Sequence, residues 1–371
     1  MFTKKLLGGT LAFSLVGWMG ITNAAELDPA DSPATPALLR ARIEAVMAEK
    51  MVPGVSYAVF AEDGVRIVDA VGKADVGSGR SLTDRTLLRI GSITKVLTAL
   101  LTLRAIEQGR FTLETPVLEL LPEALIVNPY EAVEPVRVIH LLEHTAGIDD
   151  MSLHAIYRDQ EALDPHIVAL RHDASALNVR WQPGTKLSYS NTGYSVLAAV
   201  LEHSYQRDYE SLMQEQVLKP LAMHDSVMTN AAAQQGEYAK GYTGETMTDV
   251  GLPPIWHRPA GAAWSTARDL AQLGRFLMTE GKSHPGVLRP ETVREMRRVH
   301  TPLPRVPGWN GAMAMAYFSR KFRGCICSAT TAPSTVFPPT FISIANAGLA
   351  LPKFIIAITP WCALPSHWRA T

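Results

Sequence analysis

One stretch of this chain reads as a helix built to be buried. From Val96 it runs Val96-Leu97-Thr98-Ala99-Leu100-Leu101-Thr102-Leu103-Arg104-Ala105-Ile106-Glu107-Gln108-Gly109, apolar over its first turns and ended by a glycine suited to a helix C-cap. A helix this apolar is normally buried, so the fold is expected to be built around it. Just ahead of it stands Gly91-Ser92-Ile93-Thr94-Lys95, an S-x-x-K unit. On an α-helix a spacing of three puts two side chains on one face, so the Lys95 amine lies against the Ser92 hydroxyl. Burial pushes such an amine's pKa downward, and a neutral amine can take a proton from serine. The competing reading is a surface helix capped by Ser92, with Lys95 snorkelling past it.

Further segments favour the chemical reading. Trp181-Gln182-Pro183-Gly184-Thr185-Lys186-Leu187-Ser188-Tyr189-Ser190-Asn191-Thr192-Gly193-Tyr194 is a Pro-Gly turn, a short polar stretch and the start of a new apolar helix through Leu197 and Val200. Its Y-x-N triplet, Tyr189-Ser190-Asn191, resembles the second motif of the serine β-lactamase and penicillin-binding hydrolases, in the form used by class C β-lactamases, D,D-peptidases and related esterases. Leu141-Leu142-Glu143-His144-Thr145-Ala146-Gly147 and the block from Pro259 to Leu270 resemble two more of that family's blocks, in the family's order. The resemblance begins near Val52-Pro53-Gly54-Val55-Ser56, similar to the family's opening strand, and extends to about Trp309.

The resemblance implies that Ser92 attacks a carbonyl to give an acyl-enzyme, that Lys95 and Tyr189 share the proton traffic, and that Asn191 orients both the substrate amide and Lys95. Serine needs an adjacent base, and a tyrosine beside a cation can serve if its phenol pKa is lowered. Which of the two is the base stays open at this point. Ser92 is expected to open the buried helix, where the helix dipole favours negative charge near its oxygen.

The first residues carry Lys4-Lys5, an apolar stretch from Leu6 to Ile21 and small residues at Ala24 and Ala25, the layout of a secretory signal peptide over residues 1–24. The alternative is an uncleaved anchor, for which the apolar core is short. Export to a periplasm, or secretion, follows as an expectation. Cleavage leaves about 345 residues, enough for one large hydrolase unit with an insertion, or for two domains. Formal net charge is zero, with no long basic run, so nucleic-acid binding has no support. All three cysteines, Cys325, Cys327 and Cys362, fall late in the chain, which leaves its body without a disulfide framework.

Val55–Phe60 and Val65–Val71 flank Glu62-Asp63-Gly64 and read as a β-hairpin at the edge of an antiparallel sheet. Helical patterns dominate from Leu97 to about Leu221. The expected architecture is therefore α+β: an antiparallel sheet flanked by helices, within a unit spanning 25–311, with a mostly helical insertion over about 110–250 and a cleft between them.

The end of the chain departs from this plan. The family's third motif is Lys or His, any residue, then Gly, on a strand facing the nucleophile, and no Lys or His after Trp309 is followed two positions later by Gly. The last acidic residue is Glu295; all 35 lie at or before it. A one-base frame shift near Asn310 accounts for both observations, making 312–371 an out-of-frame tail. When the third base of each codon is read with the first two of the next, Met313-Ala314 and Met315-Ala316 each become glycine. Met has one codon, and every Ala codon starts with GC. Codon choices across Ala312 to Ala332 then permit a strand ending in His-Asn-Gly. The rival expectations are a divergent but genuine end, with Phe341–Ile344 and Phe354–Ile358 as replacement strands, and a membrane helix from Phe341 to Leu364.

His140 and His144 stand four apart but lack the Glu that follows the first His of a zincin helix, so no metal is expected; nor is a cofactor, there being no P-loop and no dinucleotide fingerprint. The absence of a G-x-S-x-G elbow disfavours the α/β-hydrolase route to a serine esterase. Trp264 reads as core rather than cleft. Two functions stand after this reading. One is a hydrolase taking a small-molecule or peptide substrate with an acyl group, such as a β-lactam, a D-Ala peptide or an ester. The other is a catalytically impaired remnant or penicillin-binding sensor lacking the third motif. The sequence leaves oligomeric state open.

Overall fold

The computed structural model describes residues 36–151, 161–243, 246–298 and 300, and in the tail residues 313–314, 317–318, 320–322, 325–327, 345–346 and 354–358. The expected signal peptide, over 1–24, lies outside the described residues. Helix α1 (Pro36–Lys50) leads into strand β1 (Gly54–Ala61), which turns at Glu62-Asp63 into β2 (Gly64–Asp75), and β2 pairs in turn with β3 (Arg80–Ser81). The hairpin register runs from Gly54 opposite Gly72 to Ala61 opposite Gly64, with an irregularity at Val59/Phe60.

The hairpin was expected at an edge, and here the structure differs. Phe354–Ile358 pairs antiparallel with the free side of β1, Ser56 opposite Ile358 and Phe60 opposite Phe354, and Ala345–Asn346 follows it. That makes β1 an inner strand of a five-stranded antiparallel sheet. Its composition suits the place, for its residues are buried on both faces. Val55 and Tyr57 pack with Leu39, Ile43 and Met47, which recur at helical spacing along α1. Ala58 and Phe60 enter the main core with Leu270 and Phe276, from the helix Ala267–Met278.

Phe354–Ile358 is thus one of the two replacement strands expected of a genuine end, and it takes the place that the membrane-helix expectation gave to helix. The other, Phe341–Ile344, lies outside the described residues. Met313–Ala314 pairs with Tyr317–Phe318, and Arg320–Phe322 with Cys325–Cys327, each as a small two-stranded unit apart from the main sheet.

Helix α2 (Thr94–Glu107) is the buried axis of the molecule. Leu97, Leu100 and Leu101 are fully enclosed, and Gly109 adopts the positive φ of a helix C-cap. α2 packs against the helices Asn191–Tyr205 and Tyr209–Met213 and the helical turn Arg258–Gly261. The stretch from 110 to 250, expected to be a mostly helical insertion, carries short helices, Val117–Leu120, Val138–Leu142 and His166–His172 among them, and the longer Asn191–Tyr205. A two-residue pairing of Leu88–Arg89 with Trp264–Ser265 ties the chain before Ser92 to the block after Pro259. Trp264 is core, its Nε1 donating to Asn230 at 3.1 Å.

Candidate active site

Ser92 sits on a single 3₁₀ turn, Gly91–Ile93, that feeds directly into α2, so the nucleophile candidate precedes the α-helix proper by two residues. Gly91 has φ +52, a conformation that favours glycine, and this sets the turn's entry. Ile90 N–H donates to the Ala263 carbonyl at 2.9 Å, which brings the 259–263 segment alongside.

Two side chains, Lys95 and Tyr189, reach the Ser92 hydroxyl, and two further groups hold Lys95. Lys95 is 1% exposed. Its Nζ lies 3.2 Å from Ser92 Oγ and donates to the Ala260 carbonyl at 2.7 Å and to Asn191 Oδ1 at 2.8 Å. Tyr189 OH donates to Ser92 Oγ at 2.8 Å. All four residues singled out in the sequence, Ser92, Lys95, Tyr189 and Asn191, therefore meet in one cluster. Asn191 begins its helix just after Ser190, whose Oγ caps it by accepting from Gly193 N–H at 3.1 Å. That cap fixes Tyr189 on the extended segment entering the helix and Asn191 on its first turn.

Burial pushes the Lys95 amine down to about 7, with the nearby Asp150 charge opposing. A neutral amine has two N–H bonds and one lone pair. With carbonyl oxygens of Ala260 and Asn191 taking the two N–H groups, the lone pair faces Ser92.

The phenol behaves otherwise than the sequence suggested: burial raises the Tyr189 pKa, and Asp150 raises it further, so the group stays protonated. The lowering that a tyrosine base would require is absent, because desolvation outweighs the hydrogen bond to Ser92, which acts the other way. The two shifts run in opposite senses, the amine toward its neutral form and the phenol toward its protonated one.

Three features of the site were not found in the sequence. His144, at φ +57, stacks on the Tyr189 ring at 4.6 Å, and its Nδ1 accepts from Ser190 N–H at 3.1 Å. Burial, with Lys95 adding to it, lowers its pKa to about 3, so it is an uncharged shelf for the phenol. Asp150 accepts from the Asn191 side chain, and the Ala260 carbonyl accepts from Lys95. The first two belong to the Leu141–Gly147 block and its sequel, whose placement beside Tyr189 only the fold reveals.

The third-motif pattern does occur once in the chain's later half, as His284-Pro285-Gly286. It stands by the wrong end of α2, where the Val287 carbonyl accepts from Arg104 at 2.9 Å, roughly a helix length of 20 Å from Ser92. Among the described residues, no strand carrying Lys or His, any residue, and Gly faces the cluster.

The profile described as Beta-lactamase matches residues 39–324. The chain is 27% identical over 252 residues to Penicillin-binding protein 4 of Amycolatopsis lactamdurans, covering 66% of this chain and 64% of that protein. It is 26% identical over 269 residues to a protein named Beta-lactamase from Yersinia enterocolitica, covering 72% of this chain and 66% of that one. It spans slightly less than two thirds of the length of either relative. Among solved structures, the octameric penicillin-binding protein homologue from Pyrococcus abyssi superposes with a TM-score of 0.69 at 21% identity, over 87% of this chain and 73% of the other. That likeness is one of fold, and the profile extends it to descent: the chain belongs to the Beta-lactamase family of serine hydrolases.

Proposed function

We propose that this chain is an exported serine hydrolase that forms an acyl-enzyme on Ser92 from an amide or ester substrate: a β-lactam, a D-Ala peptide or a simple ester. The observation that carries the proposal is the Ser92 hydroxyl lying 3.2 Å from a buried amine and 2.8 Å from a protonated phenol. In the first step Lys95 takes the Ser92 proton as Oγ bonds to the substrate carbonyl carbon. Tyr189 then donates to the departing nitrogen or oxygen, and the Lys95 ammonium returns a proton to the phenolate, which leaves the amine neutral and the phenol protonated as at the start. Water reverses the sequence to free the acid. The start of α2 favours the negative charge that builds on the carbonyl oxygen. Export rests on the amino-terminal pattern of Lys4-Lys5 followed by the apolar run to Ile21.

Incubation with nitrocefin, a p-nitrophenyl ester and a D-Ala-D-Ala peptide tests the substrate class, and Ser92→Ala tests the nucleophile. Persistence of covalent labelling in Ser92→Ala sinks the assignment.

A second reading has its own observation: after Trp309 no Lys or His is followed two positions later by Gly. In that reading the tail over 312–371 is out of frame, and the product is a penicillin-binding sensor or an impaired remnant. Fluorescent penicillin separates the outcomes: fast turnover marks an enzyme, a stable Ser92 adduct a sensor, and no adduct a remnant. The nucleotide sequence of the 3′ end tests the frame directly.

A further inference from the structure

Behind Asn191 lies a carboxylate that the reaction outlined above does not use. Asp150 Oδ1 accepts from the Asn191 backbone N–H at 2.9 Å and from Met151 N–H at 3.0 Å, while Oδ2 accepts from Asn191 Nδ2 at 2.8 Å. We infer that Asp150 is a positioning residue: by gripping Asn191 at two points it fixes the direction of the amide that holds Lys95 against Ser92, and it supplies the counter-charge of that buried amine. The inference rests on the reading of Ser92 and Lys95 as nucleophile and base.

An asparagine amide has two orientations of nearly the same shape, exchanging oxygen for NH2. A carboxylate accepts and cannot donate, so Nδ2 must face Asp150 and Oδ1 must face Lys95. A flipped amide would set oxygen against oxygen on one side and NH2 against the amine on the other. The lock therefore decides whether Lys95 has an acceptor on that side, and with it where the lone pair points.

Charge adds a second link. Lys95 Nζ stands 4.8 Å from the Tyr189 ring centre and 5.7 Å from that of Tyr194, both phenols held protonated by burial. His144 is held neutral and the Ala260 carbonyl carries no net charge. Asp150 supplies the negative charge among the groups facing the amine. Burial raises its pKa, with the hydrogen bonds from Asn191 and Met151 and the Lys95 charge opposing; the three N–H groups aimed at its two oxygens are the geometry of an acceptor.

The test is the Lys95 titration itself, read by NMR on full-length protein carrying 13C- and 15N-labelled lysine and assigned with Lys95→Arg. Asp150→Asn keeps the shape, removes the charge and places an NH2 where Asn191 needs an acceptor. The Lys95 midpoint is expected to fall by about one pH unit, and Ser92 labelling by a fluorescent penicillin to slow about a hundredfold, the cost of misplacing a catalytic group by an ångström. The acid limb of the labelling rate moves to lower pH with the amine. Asp150→Glu keeps the charge and is expected to recover most of the midpoint. A residue that merely braced the turn would lower the melting temperature in both variants and leave the acid limb in place. If Asp150→Asn does not fold, Asp150→Ser repeats the titration. An unchanged midpoint and labelling rate in the charge-removing variant overturn the inference. If the parent never labels at Ser92 while the midpoint still moves, the nucleophile reading falls and the hold of Asp150 on Lys95 stands.

Discussion

With its amine drawn to about 7 by burial, Lys95 is divided between charged and neutral forms near neutrality. A base must be neutral to act, so acylation of Ser92 is expected to fall about tenfold per pH unit below 7 and to level off above it. Stopped-flow labelling across pH 5 to 9 checks this; a flat profile removes Lys95 from the base role. The same burial acts on stability with a definite sign. Between about 7 and the lysine model value of 10.5 the folded state binds fewer protons at Lys95 than the unfolded chain, so this residue's contribution improves as pH rises through that window. Tyr189→Phe keeps the stack on His144 and removes only the proton donor. It should reduce the acylation rate about 10²- to 10⁴-fold with little change in melting temperature, as measured by labelling and by thermal denaturation. Ser92 and Lys95 were readable from their spacing of three on one helix face, and Tyr189 and Asn191 from the resemblance of Y-x-N to a known family motif. Asp150 and His144 were not, since both act across a gap of about forty residues that only the folded turn closes.

Among the elements, the turn that delivers Asp150 is open to disruption by a single change. Gly147 has φ +76, and a Cβ there would meet the Trp181 carbonyl at 2.3 Å. The two segments are stitched together at this point, Arg180 N–H donating to the Gly147 carbonyl at 2.9 Å and Gly184 N–H to the Thr145 carbonyl at 2.8 Å. Gly147→Ala must push apart the loops bearing Asp150 and Tyr189. It is expected to cost more than about 1 kcal/mol in urea denaturation and to slow labelling as well. Leu100→Ala, in the fully enclosed part of α2, is expected to cost about 2–5 kcal/mol while leaving the labelling rate of the folded fraction close to that of the parent. The pair distinguishes a position that serves only packing from one that also serves the site. α2 was legible because an apolar run ended by glycine has few alternatives, and the β1–β2 hairpin because Glu62-Asp63-Gly64 marks its turn. The inner position of β1 was not legible: its second neighbour, Phe354–Ile358, comes from the far end of the chain, in a stretch without an acidic residue after Glu295.

For the molecule as a whole, the decisive matter is what stands across the cleft from Ser92. The described residues bring Ser92, Lys95, Tyr189 and Asn191 together on one side of the proposed site, while the backbone donor expected from a third-motif strand has no counterpart among them. A single donor to a developing oxyanion is worth about 10²–10³ in rate, so a chain without it should acylate slowly even though its Ser92 cluster is intact. The tail supplies a way to measure this. Reading codons 312 to 332 one base out of register yields two obligatory glycines and permits His-Asn-Gly. A gene with the frame restored near Asn310 is therefore expected to encode the missing strand. Its product should label at Ser92 at least about a hundredfold faster than the present chain and melt higher, because the cleft's second wall would then be formed. Equal labelling rates and equal melting temperatures would show that the present tail already completes the site, and the frame-shift reading would fall.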